Sequence, residues 1–149
     1  MRKAQAGLDF LMTYGWALLL IVLVVGALFA LGVFDIGSFT GSKAAGFASV
    51  TPVGWQVTSA GVMTIKFENH AGSDINVTSV VATLGTDSLA YNTSFSLGNG
   101  KQSDTVTVGT FTTPGSSGSS YTVNVQVSYT DTKTGFEYKD AGTVTGKVV

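Results

Sequence analysis

The chain has 149 residues, a formal net charge of −1 and only 11% charged residues. This length allows one ordinary domain beside a long helix, and the balanced charge gives no basis for binding nucleic acid by bulk electrostatics. The sequence has no cysteine and a single histidine, His70, which excludes a disulfide scaffold, a thiol nucleophile, a cysteine-ligated metal and a histidine-based zinc site.

The N-terminal part of the chain is a long apolar segment. Residues 10–34 include no charged residue, histidine or proline. As a helix they would extend about 37 Å, more than the thickness of a hydrocarbon layer of about 30 Å. The segment has no polar face at helical spacing, so all of its sides must be buried in lipid or among other apolar helices.

The charges beside this segment predict its orientation. Arg2 and Lys3 directly precede it, and the positive-inside rule then places the N-terminus in the cytoplasm and the rest of the chain outside the membrane. The segment is longer than the apolar core of a secretory signal peptide, and no A-x-A-like cleavage site follows it. We therefore predict that this segment, from Leu8 to Phe34, remains in the protein as one hydrophobic helix.

After a Gly/Ser-rich linker at residues 35–46, the pattern changes to the period of two that is typical of strands. Apolar and polar residues alternate from Tyr121 to Thr130 and from Met63 to Glu68. Turn-forming residues separate these segments from the other predicted strands. Those strands lie near residues 47–51, 53–58, 75–84, 93–97, 103–112 and 136–148.

Seven or eight short strands within residues 47–149 indicate an antiparallel β-sandwich of the immunoglobulin-like type. The chain lacks the cysteine pair, with its intervening tryptophan, of true immunoglobulin domains. We predict an α+β protein in which a long N-terminal hydrophobic helix is followed by an all-β immunoglobulin-like sandwich.

The sequence shows no catalytic motif. Gly100-Lys101 and Gly146-Lys147 lack the other residues of a phosphate-binding loop, and the nine acidic residues form no close pair suited to glycoside hydrolysis. Asp131 opens a loop that offers oxygen to a calcium ion, but the neighbouring Lys133 favours a plain hairpin turn. We predict that the protein is not an enzyme and needs no cofactor or metal.

Two Asn-x-Ser/Thr motifs, at Asn76 and Asn92, are candidates for N-glycosylation. Such motifs arise by chance in any Thr-rich chain. They gain weight only because the orientation predicted for the helix places the β-rich part outside the cell.

The first residues form a more specific pattern. MRKAQAGLD combines a short basic leader, a small residue, Gln5 and, one helical turn later, Asp9, all directly before the apolar segment. This pattern resembles the N-terminus of an archaeal type IV pilin with a class III signal peptide. Residues 7–9 also resemble the start of the related archaellins, whereas FLMTYGWA at residues 10–17 is closer to pilins and adhesion filaments.

The resemblance implies processing and partners. A prepilin peptidase would recognise Arg2, Lys3, Ala4 and Gln5 and cut the Ala4–Gln5 bond. This cut would remove a leader at residues 1–4 and leave residues 5–34 as the hydrophobic assembly helix. The subunit would be stored in the cytoplasmic membrane and would then form a homopolymer by helix–helix packing. An assembly ATPase and a membrane platform would drive that step.

Gln5, Asp9, Phe10, Gly26 and Ala30 are the predicted assembly residues. The resemblance implies that the free α-amino group of Gln5 pairs with Asp9 in its own or an adjacent subunit. The alternative is that Asp9 only favours the positive end of the helix dipole, worth about 0.3–1 kcal/mol. Gly26 and Ala30 have a spacing that lets helices approach closely, although small residues are also simply common in membrane helices.

Together these features predict a structural subunit of an extracellular filament on the cell surface, an archaeal type IV pilus that serves adhesion. Two alternatives remain open. One is a single-span membrane protein whose sandwich binds a ligand as a monomer. The other is an archaellin-like motility subunit, or a minor pilin that primes the filament.

Overall fold

The computed structural model describes the backbone of residues 2–30 and 41–149, and the side chains of residues 6–28 and 41–149. The chain forms two compact units, Met1–Phe39 and Thr40–Val149. The end of the predicted helix at residues 31–34 lies outside the described residues, as do residues 35–40 of the predicted linker.

The first unit contains the helix α1, Arg2–Ala30. Its many Leu and Ala residues favour a helix, and no proline interrupts it. The stretch Ala6–Leu28 has 23 residues with a mean hydropathy of 2.3, so it is long and apolar enough to cross a membrane. The predicted N-terminal apolar helix is confirmed over this range.

In the second unit, the described residues 41–149 form nine strands arranged in two antiparallel sheets. The larger sheet has the order β1-β9-β8-β4-β5, with β6 also paired to β4, and the smaller sheet has the order β2-β3-β7. This arrangement confirms the predicted sandwich and the α+β class. The strands are β1 Lys43–Ala45, β2 Val50–Val57, β3 Val62–Asn69, β4 Ile75–Leu84, β5 Asp87–Tyr91, β6 Phe95–Leu97, β7 Val106–Thr110, β8 Ser120–Asp131 and β9 Glu137–Lys147.

The core lies between the two sheets and follows the alternation in the sequence. In β8, five alternating residues from Tyr121 to Tyr129 are buried, and the polar residues between them are exposed except Ser128. In β3, Met63, Ile65 and Phe67 face the same core. The two strands with the clearest period of two are therefore confirmed, because each buries one face and exposes the other.

The sandwich begins earlier than the predicted boundary at residue 47. Strand β1 lies inside the predicted linker and pairs with β9, and β5 forms where no strand was predicted. Both strands are too short, with 3 and 5 residues, for an alternating pattern to stand out. Tertiary contact supports β1, since a side chain at Gly142 would collide with the backbone of Ala45 and the ring of Phe47.

The prediction of two separate strands at residues 47–51 and 53–58 is wrong, because these residues form the single strand β2. Pro52 is tolerated there because β2 is an edge strand of the smaller sheet, where a missing backbone N–H leaves no ladder bond broken. The pairing with β3 shifts register between Pro52 and Gly54, which absorbs the irregularity.

The chain enters the sandwich at one end, and the hairpin between β8 and β9 lies at the other. Lys43 pairs with Thr145 and Ala45 with Thr143, so the chain enters the sandwich beside the C-terminal end of β9. The hairpin that joins β8 to β9, at residues 132–136, lies at the other end of the same strands. We call these the entry end and the distal end.

Asp87 in β5 of the larger sheet is hydrogen-bonded to Thr112, which follows β7 of the smaller sheet. We expect this contact to make the stability of the sandwich depend on pH. Its Oδ2 accepts hydrogen bonds from the backbone N of Thr112 at 2.6 Å and from the Thr112 hydroxyl at 2.8 Å. These bonds lower the pKa of Asp87 below its ordinary value of 3.8. The unfolded chain therefore binds this proton more readily, so the contribution of Asp87 to stability is complete above about pH 4 and is lost as the pH falls through the lowered pKa.

An NMR titration of the Thr112 amide should report that lowered pKa. The Asp87→Asn variant keeps the shape of the side chain, and its Thr112 amide should not respond between pH 5 and pH 2. A Thr112 signal that titrates at or above the ordinary aspartate value in the parent protein would contradict this assignment.

Candidate assembly helix and surface sites

The apolar surface of α1 is uncovered along its described length. None of the candidate span Ala6–Leu28 is buried. The exposed large side chains point in all directions around the helix axis, because they occupy nearly consecutive positions. They are Leu8, Phe10, Leu11, Met12, Tyr14, Trp16, Leu18, Leu19, Leu20, Ile21, Val22, Leu23, Val24 and Val25.

The predicted cleavage residues Arg2, Lys3, Ala4 and Gln5 form the start of α1. Their side chains lie outside the described residues, and nothing follows for the contacts that they make. The predicted scissile bond, Ala4–Gln5, lies in helical backbone directly before the apolar span.

Asp9 is exposed, and it lies too far from the N-terminal end of the helix to interact strongly with the helix dipole. Because α1 begins at Arg2, Asp9 is about two turns from the helix start, and the first turn contains no acidic residue. The dipole effect fades within the first turn, so it contributes little to Asp9 in the uncut chain. Gln5 lies one turn earlier on the same face, which is the neighbouring position in a helix.

The other assembly residues occupy different positions along α1. The ring of Phe10 packs on the ring of Tyr14, with centroids 4.9 Å apart. A methyl group added at Gly26 would meet no atom within 4 Å, so the helix surface there is open to close approach. Ala30 is the last residue of α1, and its side chain lies outside the described residues.

The two glycosylation candidates lie in unlike settings. Asn92 is exposed in the connection between β5 and β6. Asn76 is half-buried in β4, where Ser96 of β6 and Thr130 of β8 pair with it on either side. The two motifs therefore present very different backbones to a modifying enzyme.

The sequence pattern did not reveal the role of Asp140, which is buried on β9. Its carboxylate accepts hydrogen bonds from the backbone N of Ala48 at 3.0 Å, of Ser49 at 2.6 Å and of Val50 at 2.9 Å. The only available signal was an aspartate within a predicted strand. The carboxylate thereby joins β9 of the larger sheet to the first residue of β2 in the smaller sheet.

A second unpredicted feature is an aromatic groove at the distal end. Tyr129 and Tyr138 face each other across β8 and β9, and their rings stack with centroids 5.8 Å apart. Together with Ser49, Ala71 and Asp131 they line an open groove of about 220 Å³. The signal for it in the sequence was weak, since the tyrosines are nine residues apart and become neighbours only through the hairpin.

Among the described residues, the groups considered for chemistry do not converge. His70 is about half exposed and its Nε2 lies 3.4 Å from Glu68 Oε1. Asp131 Oδ1 accepts hydrogen bonds from the backbone N of Lys133 and of Thr134, the geometry of a hairpin turn. Within residues 6–28 and 41–149, no three His, Asp or Glu side chains come together as a metal site.

A scan against protein-family models finds no match for this chain, and a search of curated proteins likewise finds none. Its function is therefore proposed from its own residues and fold.

Proposed function

We propose that the chain is a structural subunit of an extracellular helical filament, an archaeal type IV pilus that serves adhesion or surface attachment. The observation that supports this most is the uncovered apolar helix followed by a separate sandwich. The N-terminal pattern around Gln5 and Asp9 adds the resemblance to pilins.

The energetics of α1 favour a polymer outside the membrane. Each large apolar side chain kept in water instead of an apolar surround costs about 1.5–3 kcal/mol. For the exposed side chains between Leu8 and Val25 the total is tens of kcal/mol. Packing the helices of many subunits along a filament axis avoids this cost, and the sandwiches then form the outer sheath.

Processing explains how the helix leaves the membrane. In the precursor, Arg2 and Lys3 hold the N-terminus on the cytoplasmic side, because moving a cation across lipid costs at least about 2.5 kcal/mol. Cleavage after Ala4 removes both cations. A membrane platform and an assembly ATPase then draw the helix out into the growing filament, leaving the sandwich outside the cell.

A single-span membrane protein with a ligand-binding sandwich is the main alternative, because the same helix serves as an anchor. The archaellin-like subunit is the other, supported by Gly7-Leu8-Asp9. The mature N-terminus separates the anchor from both filament subunits, and loss of swimming on deletion separates an archaellin from a pilin.

Mass spectrometry of sheared and purified surface filaments tests the proposal. We expect the protein to be an abundant component whose intact mass begins at Gln5. A Lys3→Glu variant changes the leader and should accumulate uncut in the membrane, whereas Lys147→Glu changes an equal charge in the sandwich and should be processed normally. A protein that keeps residues 1–4 and occurs only in the membrane fraction would contradict the proposal.

We expect Asn92 to carry more glycan than Asn76. A modifying enzyme needs access to the backbone around the motif, and Asn92 lies in an exposed connection, whereas Asn76 is hydrogen-bonded in a strand with neighbours on both sides. Glycopeptide mass spectrometry of filaments from Asn92→Gln and Asn76→Gln variants measures this directly. If only Asn76→Gln lowers the mass of the subunit, the assignment is wrong.

A further inference from the structure

The distal end of the sandwich exposes aromatic surface. Phe136 is 66% exposed and Tyr138 is 43% exposed. Phe136 is the last residue of the hairpin and Tyr138 is the second residue of β9. The backbone N of Asp131 donates to the carbonyl oxygen of Phe136 at 3.0 Å, which continues the pairing of β8 with β9, so the two rings project from the same side. The other large apolar side chains exposed in the described sandwich are two valines, Val53 and Val149.

The aromatic surface borders the groove lined by Ser49, Ala71, Tyr129, Asp131 and Tyr138. The groove lies at the distal end, on the inner face of the larger sheet. The pair Tyr129 and Tyr138 is on the same face as the buried pair Val127 and Asp140, two residues further toward the hairpin. It offers an apolar floor of tyrosine rings together with hydroxyl and carboxylate groups at its rim. That combination is typical of small-ligand sites, in which apolar walls supply affinity and a few polar groups supply orientation.

The hairpin beside the groove is held in place by hydrogen bonds. The backbone N of Thr132 and its hydroxyl both donate to the carbonyl oxygen of Asp74, at 3.0 and 2.7 Å. Asp131 Oδ1 accepts from the backbone N of Lys133 at 2.7 Å and from that of Thr134 at 3.2 Å. Both amides use Oδ1, and the carboxylate also interacts with the Ser73 hydroxyl, which lowers the pKa of Asp131 and keeps it ionised as an acceptor at the rim of the groove.

The size and charge of the surface indicate what occupies it. An aromatic side chain has about 150–250 Å² to bury, so the exposed parts of Phe136 and Tyr138 amount to far less than the ~800 Å² that each partner buries in a stable protein interface. The charges in the hairpin also cancel, because Asp131 and Glu137 are matched by Lys133 and Lys139. A small neutral ligand therefore fits better than a protein or an ion.

We propose that this groove binds a pyranose ring of a neutral glycan. The C–H groups on one face of a sugar ring are weakly positive and pack on the negative faces of Phe136 and Tyr138, while its hydroxyls reach Asp131 and Ser49. This inference rests on the proposed function in one respect, since the adhesion filament gives the site its purpose. The groove lies at the end opposite the point where the chain enters the sandwich.

Affinity electrophoresis through gels that contain dextran, mannan or agarose tests the proposal. The full chain is kept in a zwitterionic detergent, because detergents with sugar headgroups would compete. We expect retardation by at least one of these polysaccharides, weakened about tenfold or more in Phe136→Ala and in Tyr138→Ala. Tyr138→Phe keeps the ring and should retain binding, and Val53→Ala removes an exposed apolar side chain elsewhere and should change affinity less than about threefold.

Phe136→Ala is the decisive variant, because its exposed ring can be removed without disturbing the core. Filaments of each variant are examined in parallel. Filaments that assemble normally but show no retardation by any of the three polysaccharides would overturn the glycan site and leave the filament proposal standing. Loss of filaments in Phe136→Ala with unchanged retardation would instead make this surface a contact between subunits and would also overturn the proposal.

Discussion

We expect Asp9→Asn to abolish filament assembly while leaving the protein in the membrane. A carboxylate at the edge of an apolar helix bundle costs several kcal/mol unless it is paired. Its proposed partner is the α-amino group that cleavage creates at Gln5, one turn earlier on the same face of α1. The amide of asparagine cannot form that ion pair, so the α-ammonium group of Gln5 is left as an unpaired charge at the edge of the bundle.

The measurement is the ratio of the subunit in sheared filaments to the subunit in membranes. We expect this ratio to fall at least about tenfold, which corresponds to about 1.4 kcal/mol or more for each subunit added. Asp9→Glu keeps the charge and should restore much of the assembly. Thr13→Val is the matched control, because it removes the hydroxyl that donates to the carbonyl oxygen of Asp9 at 2.7 Å and leaves the carboxylate unchanged.

Normal filament yield in Asp9→Asn would show that assembly does not need the ion pair between Asp9 and Gln5. The interaction with the helix dipole would then be the only role left for Asp9. That interaction is worth at most about 1 kcal/mol at a helix start.

The second large effect is expected in the sandwich, where Asp140→Asn should lower the free energy of unfolding by about 2–4 kcal/mol. The carboxylate of Asp140 is the acceptor for three consecutive backbone N–H groups, those of Ala48, Ser49 and Val50. The asparagine amide keeps one acceptor oxygen and turns its NH₂ group toward the remaining donors. Buried N–H groups without an acceptor cost about 1–3 kcal/mol each.

Asp74→Asn is the control for Asp140→Asn. Asp74 Oδ1 also accepts a backbone hydrogen bond, from Asn99 at 2.8 Å, but this bond is exposed, so we expect a loss below about 1 kcal/mol. Urea unfolding followed by near-UV circular dichroism, with the full chain in detergent, measures both variants. Equal effects of the two substitutions would show that Asp140 does not stabilise the junction between the sheets.

The sites differ in how far they could be predicted. The apolar segment and the two Asn-x-Ser/Thr motifs are local sequence features, so residues 10–34, Asn76 and Asn92 could be identified without a structure. The aromatic groove could not, because Tyr129 and Tyr138 meet only when the hairpin pairs β8 with β9. Ser49 and Ala71 reach the same groove from other segments of the chain.

The sequence by itself determined that an apolar helix, now described from Ala6 to Leu28, precedes the sandwich, because the apolar run is unbroken. It also determined that Tyr121 to Tyr129 form a half-buried strand, because apolar and polar residues alternate there. Only the tertiary structure decided that Lys43–Ala45 forms a strand, because three residues have no period of their own and need the edge of β9. It also decided that Asp140 is buried. Its three amide donors lie about 90 residues away, and a contact so distant in sequence forms only when the two sheets close over a common core.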